Sequence, residues 1–558
     1  MRGSVGIANA LAGEGVEFVA GIIGGSTHEI IDSLHDVPQL RSILTRHERV
    51  AADIADGYSR VSNRIGVALC VQGPGGANAV AGIANSFADS SPVILIHGQV
   101  HQQYYGKGAT QEMDVLGMFR PVTKWAVSIP KPERIPEIMR RAFTTANSGR
   151  PGPVVVEIPN DVSAAEVDPE KLAYTPVRRN YRSGADPDDV DRAAAALVAA
   201  RRPVLYSGSG VLRSEASAEL VELAELLAAP VMTTLNGKSG FPEDHPLALG
   251  LGGYPQALYS TNQSIAMMKQ TDLVFAIGCS FKAYATNHFA KAPEGVKLIH
   301  ADADFREIGK NYPVEIGLVG DARLVLRQLL AAVRDRLGKQ RRDRAPAEAE
   351  VAKLRAEWMA EWMPKLTSDE VPINPYRVTW EIMQNLDRNR TIVLHDSGSN
   401  RGYTSHHYVA PFPHAFIGFG GQSSMGWSLG ASLGAKIARP DLNVLDVIGD
   451  GSFGMTGMDI ETAVRCQIPT ITLVANNGSL DLSKYTQTKK FRQWDTWTAL
   501  GGDYAGMARA MGAHAERVDK PQELAAAFKR AVAATRDGRP ALLEVVTKSM
   551  EPIPTKLR

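Results

Sequence analysis

The chain has 558 residues, of which 44% are hydrophobic and 22% are charged, and its formal net charge is +1. This composition excludes an intrinsically disordered protein, and the balanced charge argues against a nucleic-acid-binding surface. The length predicts about two to four domains, each with a core of its own.

Targeting signals and membrane spans are also absent from the sequence pattern. Residues 1–12 lack the basic start and apolar core of a signal peptide, and no apolar run is long enough to span a bilayer. Cys70, Cys279 and Cys466 lie far apart in the chain, which favours buried free thiols over disulfide bonds. We therefore expect a cytoplasmic protein without nucleic-acid or membrane partners.

Short apolar runs alternate with helical patterns along the chain, which predicts an α/β protein with doubly wound parallel sheets. Three units of similar size are expected: 1–165, 185–338 and 370–558. The highly charged, helix-prone segment at 338–370 is typical of a solvated connector. The predicted strands lie at 18–23, 66–71, 93–96, 154–158, 203–206, 273–277, 297–300, 392–394, 443–448 and 471–477.

The first unit contains a glutamate at the start of a strongly helical stretch. Thr45-Arg46-His47-Glu48 precedes the helical residues 51–60. By position alone, Glu48 would serve the helix N-terminus, where a negative side chain interacts favourably with the helix dipole. The glycine-rich loop at 72–78 follows an apolar strand and, by itself, is compatible with a simple strand-to-helix turn.

Two strand ends in the third unit have the residues expected at a metal-phosphate site. Gly449 and Gly451 flank Asp450, and the helix that follows offers N–H groups to an anionic ligand. A carboxylate beside a diphosphate needs a cation between them, and Mg²⁺ takes oxygen ligands that include phosphates. Asn477 ends the next strand, one crossover later, and the backbone carbonyl of Ser479 could complete the ligand set. The glycine–aspartate turn alone would be weak evidence, but its spacing to Asn477 favours a metal site.

Residues 449–477 resemble the metal-diphosphate motif of thiamine diphosphate enzymes. The chain is similar to the acetolactate synthase, pyruvate oxidase and 2-oxo acid decarboxylase branch over nearly its whole length, most clearly at 47–60, 72–78 and 300–311. The resemblance implies an N-terminal pyrimidine-binding domain, a central α/β domain and a C-terminal domain that binds diphosphate and Mg²⁺. It also implies a homodimer or homotetramer with the active site at the subunit interface.

In the first unit, the resemblance implies that Glu48 hydrogen-bonds the aminopyrimidine ring of the cofactor. Glu48 would thereby help the weakly acidic thiazolium carbon to lose its proton. Gly25 belongs to a glycine-rich loop beside the reaction centre, and Gln111 is carried over as a hydrogen-bonding residue of the active site. Pro74 and Asn78 are the expected contacts of the pyrimidine.

In the third unit, the resemblance implies a diphosphate site and a packing residue. Met425 is the large apolar residue that props the cofactor into its bent shape. The implied cofactor contacts are Gly398, Ser399, Asn400, Ser423, Met425, Gly449, Gly451, Ser452 and Asn477. The implied metal ligands are Asp450, Asn477 and Ser479.

The chain departs from the synthases at three places. Ile22 and Ile23 stand where a Tyr-Pro pair is expected, and Thr110 replaces an aromatic residue. The segment 280–287 reads Ser-Phe-Lys-Ala-Tyr-Ala-Thr-Asn, where the synthases have Arg-Phe-Asp-Asp-Arg-Val-Thr-Gly. Because both arginines are missing, we expect no tightly held FAD, while an adenine nucleotide or CoA in the central unit stays open.

These observations predict a thiamine diphosphate- and Mg²⁺-dependent enzyme that acts on a 2-oxo acid by decarboxylation, carboligation or both. One alternative is a 2-hydroxyacyl-CoA lyase or an enzyme like oxalyl-CoA decarboxylase, in which the basic end at 556–558 could meet the anionic CoA. The other alternative is a non-catalytic regulatory homologue. The presence of Glu48, Asp450 and Asn477 argues against the latter.

Overall fold

The computed structural model describes residues 1–177, 181–492 and 495–550. Over these residues the chain forms three six-stranded sheets in which every strand pair is parallel. The predicted α/β class with three parallel-sheet domains is therefore confirmed. The basic end at 556–558 lies outside the described residues. None of the described helices combines the length and the apolar character required to cross a membrane.

The first sheet is covered on both faces. Along its third strand, Val67 and Leu69 belong to one apolar core, whereas Ala68 and Cys70 belong to another. The strand order is β2-β1-β3-β4-β6-β5. The strands are β1 Phe18–Gly21, β2 Arg41–Leu44, β3 Gly66–Cys70, β4 Val93–Gln99, β5 Trp125–Ser128 and β6 Val154–Pro159. The helices are α1 Gly3–Gly13, α2 His28–His35, α3 Glu48–Ser62, α4 Pro74–Ala88, α5 Val115–Phe119, α6 Ile135–Asn147 and α7 Asn160–Ala164.

The central sheet has a different order, β12-β11-β10-β7-β8-β9, which is the order of dinucleotide-binding folds. Gly208 and Gly278 follow the two strands at which this order reverses, and a Cβ on Gly208 would lie 1.9 Å from the Gly278 carbonyl oxygen. The strands are β7 Pro203–Ser207, β8 Val231–Thr233, β9 Ala248–Leu251, β10 Leu273–Ile277, β11 Lys297–Asp302 and β12 Ile316–Val319. The helices are α8 Pro187–Ala199, α9 Ser209–Arg213, α10 Ser217–Leu227, α11 Asn262–Met268 and α12 Ala322–Leu337.

The charge of the segment 338–370 predicted a solvated connector, but part of this segment is buried. It forms the helix α13, Ala345–Leu366, and buries Val351, Trp358, Trp362 and Leu366. Val351 packs in a core of the central domain, and the two tryptophans pack in a core of the third domain. Residues 358, 362 and 366 are four apart, so a narrow apolar stripe runs along an otherwise charged helix.

The third sheet has the order β14-β13-β15-β16-β18-β17, which repeats the order of the first sheet strand for strand. Its strands are β13 Thr391–His395, β14 Phe416–Ile417, β15 Asn443–Gly449, β16 Ile471–Asn476, β17 His514–Val518 and β18 Ala541–Val546. Its helices are α14 Pro375–Asn385, α15 Ser399–His407, α16 Trp427–Ala438, α17 Asp450–Thr456, α18 Ile460–Arg465, α19 Asp481–Lys490, α20 Tyr504–Ala510 and α21 Leu524–Arg536.

Helices α3, of the first domain, and α16, of the third domain, pack against each other with their backbones in close contact. A Cβ on Gly57 would lie 2.1 Å from the Ala431 carbonyl oxygen, and a Cβ on Gly434 would lie 2.0 Å from the Ile54 carbonyl oxygen. Glycine at both positions therefore permits backbone-to-backbone packing that any larger residue would prevent. The indole N–H of Trp427 also donates to Asp56 at 2.7 Å across this contact.

The buried carboxylate of Asp89, in the first domain, bonds to all three domains. It accepts from Lys282 of the central domain at 3.1 Å, and from the backbone N–H groups of Gly420 and Gly421 of the third domain at 3.1 and 3.2 Å. Arg60 lies 3.4 Å away. Burial alone would raise the pKa of Asp89, but Lys282 and Arg60 outweigh it and hold that pKa below its ordinary value. Asp89 is thus a shared anchor between domains.

Candidate active site

Glu48 is the first residue of α3, and its side chain is only 8% exposed. The side-chain amide of Asn78, on α4, donates to the Glu48 carboxylate at 3.0 Å. Gly75 lies beside the same carboxylate, since a Cβ there would be 3.3 Å from Glu48 Oε1. Pro74 is the first residue of α4. The first domain therefore groups Glu48, Asn78 and Pro74 at the ends of two neighbouring helices.

The loop that carries Gln111 packs directly on the loop before α4. Gly73 has φ +59°, and a Cβ there would lie 2.3 Å from the Gln111 carbonyl oxygen, so no side chain fits. Gln111 itself has φ +64°, a conformation that is rare for residues other than glycine, and is exposed. Gly25 is also exposed, in the loop between β1 and α2. Both residues lie at the same sheet edge as Glu48.

A pocket of about 770 Å³, including space open to solvent, lies at the carboxyl edge of the third sheet, where β13, β15 and β16 end. Helices α15 and α17 begin at its wall, so their first N–H groups have no intrahelical acceptor and suit a phosphate. Gly398, immediately before α15, has φ +100°. The predicted residues that line this pocket are Gly398, Ser399, Asn400, Met425, Gly449, Asp450, Gly451, Ser452, Asn477 and Ser479.

Asp450 is 3% exposed and begins α17. Its two carboxylate oxygens accept from the N–H groups of Gly451 and Gly478, each at 2.8 Å, which ties the loop after β15 to the loop after β16. The Asn477 side-chain oxygen accepts from the N–H and the hydroxyl of Ser479, at 3.0 and 3.2 Å. Burial raises the pKa of Asp450 and outweighs these N–H donors, which lower it.

These residues fit a magnesium ion shared with a diphosphate. Within the described residues there is no cluster of three or more His, Cys, Asp or Glu side chains that could hold a metal without further ligands. A cation here would therefore be held by one carboxylate, the Asn477 amide oxygen, the Ser479 carbonyl and phosphate oxygens. Each carboxylate oxygen of Asp450 keeps a second lone pair for the cation, and rotation of the Ser479 hydroxyl would free one on the Asn477 amide oxygen. This ligand set suits Mg²⁺.

The side chain of Asn400 is already engaged, because its amide donates to the Val447 carbonyl at 2.8 Å. Met425 lies two residues before the start of α16, and Arg49 of the first domain donates to its carbonyl. A Cβ on Gly451 would lie 3.3 Å from Met425 Cε, so this methionine packs against the loop of Asp450. Ser423 does not line the pocket, although its buried hydroxyl has no partner in the described structure.

Three family models match consecutive parts of the chain. They describe the N-terminal TPP binding domain at residues 1–118, the central domain at 190–329 and the C-terminal TPP binding domain at 396–545 of thiamine pyrophosphate enzymes. The chain belongs to the thiamine pyrophosphate enzyme family.

Curated relatives place the chain more narrowly within that family. It is 37% identical to the probable acetolactate synthase large subunit of Methanocaldococcus jannaschii, over 99% of this chain and 93% of the relative. It is 32% identical to the acetolactate synthase isozyme 3 large subunit of Escherichia coli, over 100% and 97%. The acetolactate synthase large subunit of Corynebacterium glutamicum is 32% identical over 95% and 84%. The protein is thus a thiamine diphosphate-dependent enzyme of the acetolactate synthase branch, as its motifs predicted.

Sequence analysis missed several residues that line the pocket at the edge of the third sheet, which is called the diphosphate pocket below after its predicted ligand. Tyr403 lies one helical turn after Ser399 on the same face of α15, and its buried hydroxyl has no partner in the described structure. Asp481 is buried and accepts from the Met550 N–H at 2.9 Å. The four-residue spacing of Tyr403 could have revealed its position, whereas the contact of Asp481 is long-range.

A second cleft, of about 1030 Å³ including space open to solvent, lies between the first and central domains. Three arginines line it. Arg150 pairs with Glu307 at 2.6 Å, and Arg182 lies 3.7 Å from Asp321. Arg213 donates to the Ser59 carbonyl at 2.9 Å, and burial lowers its pKa to about 10.

Proposed function

We propose that the chain is a thiamine diphosphate- and Mg²⁺-dependent carboligase that decarboxylates one 2-oxo acid and joins the remaining group to an acceptor. The observation that carries this proposal is the pocket at which Asp450, Asn477 and Ser479 meet the starts of two helices. The names of the relatives support the same reaction class. A cytoplasmic location and the absence of nucleic-acid and membrane partners remain predictions.

In this proposal, the third domain binds the diphosphate group of the cofactor and its Mg²⁺ ion. Asp450 and Asn477 would hold Mg²⁺ through their side chains, and Ser479 through its carbonyl. Gly398 and Ser399 would offer backbone N–H groups to the diphosphate, where the positive end of α15 also favours negative charge. Met425 would provide the apolar surface on which the cofactor bends.

The first domain would supply the acid-base chemistry. Thiamine diphosphate, when bound, would supply a nucleophilic carbon for the ketone of a 2-oxo acid and an electron sink for the loss of CO₂. Glu48 would hydrogen-bond the ring nitrogen of the pyrimidine and exchange a proton with it, while Asn78 fixes the orientation of the Glu48 carboxylate. Because Glu48 is buried, water does not compete strongly for that proton.

We further propose that each site is completed by a second copy of the chain. Among the described residues, those that line the diphosphate pocket all come from the third domain or the segment before it, and none comes from the first domain. Glu48 instead contacts residues of its own domain. A cofactor held at Asp450 would then meet Glu48 of another subunit, in a homodimer or a homotetramer.

Co-expression of two variants, assayed at a limiting Mg²⁺ concentration at which neither variant alone turns over substrate, tests both the site residues and this arrangement. In a Glu48→Gln chain paired with an Asp450→Asn chain, one of the two sites has both native residues if the sites form between copies. Random pairing would then restore roughly a quarter of the native sites. If each site forms within one chain, the mixture stays inactive. The matched control is co-expression of each variant with itself.

Turnover of a panel of 2-oxo acids, with and without acceptor aldehydes, tests the reaction itself. We expect CO₂ release and carboligation products that require both thiamine diphosphate and Mg²⁺. A protein that binds the cofactor but releases no CO₂ from any member of the panel would contradict the proposal and favour the regulatory homologue.

A second candidate is a lyase that acts on 2-hydroxyacyl-CoA or oxalyl-CoA. It is favoured by the cleft between the first and central domains, because Arg213 there forms no ion pair within the described residues. CoA is polyanionic and would neutralise such a cation. Calorimetric titration with CoA, using Arg213→Gln as the matched variant, distinguishes the candidates. Tight binding that depends on Arg213 would favour the lyase.

A further inference from the structure

Arg401 is a buried cation beside the diphosphate pocket, and the mechanism above does not use it. It lies in the first turn of α15 and is 2% exposed. Its Nη2 donates to the Ser397 hydroxyl at 3.3 Å, while Nε and Nη1 are buried and have no partner. Within the described residues no carboxylate pairs with this guanidinium, although most buried arginines pair with one.

The surroundings of Arg401 are aromatic and neutral. Its guanidinium lies 4.9 Å from the ring centre of Tyr284 and 5.5 Å from that of Phe419. Burial, and secondarily the charge of Arg401, lower the pKa of His395 to about 3, so that imidazole is neutral. The nearby carboxylate of Asp396 is already used, because it accepts from the N–H groups that begin α16 and from its own neighbour Ser397.

An uncompensated guanidinium in this position is unfavourable. Taking a charge out of water costs several kcal/mol unless it is paired. The start of α15 adds to this cost, because the positive end of the helix dipole repels a second positive charge. The cost is offset when an anion binds. Ser397 lines the diphosphate pocket and accepts from Arg401, so the guanidinium lies directly behind the wall of that pocket, and an anion that reaches it would lie at this wall.

We propose that Arg401 binds the carboxylate of the 2-oxo acid substrate, an inference that rests on the proposed function. The planar guanidinium matches a carboxylate with two parallel hydrogen bonds, and the aromatic walls suit a small organic anion better than a hydrated phosphate. The diphosphate already has dedicated donors at α15 and α17. Lys282, the other cation nearby, is paired with Asp89.

Tyr284, one of the aromatic neighbours of Arg401, lies in the segment where this chain departs from the synthases. Tyr284 stands in the segment 280–287 at the place of the second arginine of the synthase sequence, and the Arg401 guanidinium lies over its ring. In this chain, Arg401 of the third domain therefore packs against the segment 280–287. Arg401 would be the residue that selects substrates with a carboxylate over neutral aldehydes.

The first test measures anion binding without turnover. Oxamate, an unreactive isostere of a 2-oxo acid, is titrated into the full-length protein without cofactor, and the unfolding temperature is recorded. We expect oxamate to stabilise the wild-type protein and Arg401→Lys, but not Arg401→Gln. Without oxamate, Arg401→Gln should be as stable as the wild type or more stable, because it removes a buried unpaired charge. The control is Arg355→Gln, a partly buried arginine on α13 that bonds only backbone carbonyls.

The second test separates the substrate from the cofactor. We expect Arg401→Gln to raise KM for the 2-oxo acid by about a hundredfold, the loss typical of one desolvated charge pair. The KM for an aldehyde acceptor and the affinity for thiamine diphosphate should change by less than about threefold, which is within the variation expected for a neutral substitution.

Three results would overturn the inference. A parallel loss of thiamine diphosphate affinity would assign Arg401 to the diphosphate. Equal losses toward 2-oxo acids and aldehydes, or a lower unfolding temperature for Arg401→Gln without oxamate, would indicate a structural role. If the wild type turns over no 2-oxo acid, the proposed function is wrong, yet oxamate binding that requires Arg401 would still support a carboxylate site.

Discussion

The first and third domains share one strand order but differ in the side chains at their carboxyl edges. In the first domain, the edge presents the buried Glu48 and the exposed Asn78, whose side chains are bonded to each other. In the third domain, the corresponding edge presents Asp450, Asn477 and the starts of two helices. In the proposed function, the same topology therefore carries proton-transfer chemistry in one domain and anion and metal binding in the other.

This difference shows where function is encoded in such folds. Parallel sheets place loops from neighbouring strands side by side, and the loop residues decide which ligand fits. The central domain, with another strand order, brings Gly208 and Gly278 together instead. Variants of the two outer domains should therefore have separable effects.

The largest expected effect comes from Glu48→Gln. The amide keeps the size of the carboxyl group but cannot exchange the proton, so turnover should fall by about a thousandfold or more. Affinity for Mg²⁺ and thiamine diphosphate should change little. Steady-state kinetics and cofactor titration measure both quantities, with the exposed Glu294→Gln as control. Near-native turnover would disprove the assignment of Glu48.

Asp450→Asn should show the opposite pattern. Loss of the only carboxylate in the metal site should weaken Mg²⁺-dependent cofactor binding by about a hundredfold. At saturating Mg²⁺ and cofactor, turnover should recover in part, because the proton-transfer group is intact. Cofactor titrations at several Mg²⁺ concentrations test this, with Asp537→Asn as control. Unchanged Mg²⁺ dependence would place the metal elsewhere.

Gly57→Ala should disturb the contact between the two domains rather than either site. Alanine favours the helix, but its methyl group would collide with the Ala431 carbonyl. We expect a net destabilisation of about 2 kcal/mol, which denaturant unfolding would detect. Gly454→Ala, at a helical position where the added Cβ meets no atom within 4 Å, controls for the change in backbone freedom. A stabilised Gly57→Ala protein would show that the helices have room to separate.

Asp53→Asn should change the pH dependence of stability and leave both edges intact. Burial between α3 and α16 raises the pKa of Asp53 to about 8, although Arg49 lies 3.3 Å away and opposes this. The folded protein then holds a proton that the unfolded chain releases at about pH 4, so stability falls as the pH rises between these values. We expect the wild type to lose about 1 kcal/mol relative to Asp53→Asn between pH 6 and 7. Unfolding curves at both pH values, with the exposed Asp335→Asn as control, test the sign. A parallel pH dependence in both proteins would contradict it.

The fold was largely predictable because the buried parallel strands are continuous apolar runs. The Asp450 loop was predictable because its chemistry is local, within one strand, one turn and one helix. The short edge strand β14, Phe416–Ile417, carries too little pattern to be recognised. The connector helix was misjudged because its tryptophans form a stripe only one residue wide among many charges. The roles of the site residues stay predictions until the variants above are measured.

Contacts between distant segments could not be predicted from local pattern. Arg401 follows a loop that sequence analysis assigned to the diphosphate, yet its aromatic neighbours come from residues 284 and 419. Nothing in the sequence indicates that no acid would face it. Similarly, Asn400 was expected to contact the cofactor, but its amide bonds the backbone of β15.

The carboxylate of Asp89 has a mechanical consequence. Asp89 accepts from Lys282 and from the N–H groups of Gly420 and Gly421, and it thereby connects the central domain to the loop that ends at Met425. A tilt of the central domain cannot leave that loop undisturbed. The central domain therefore helps to fix the position of the loop that carries the methionine against which the cofactor would pack.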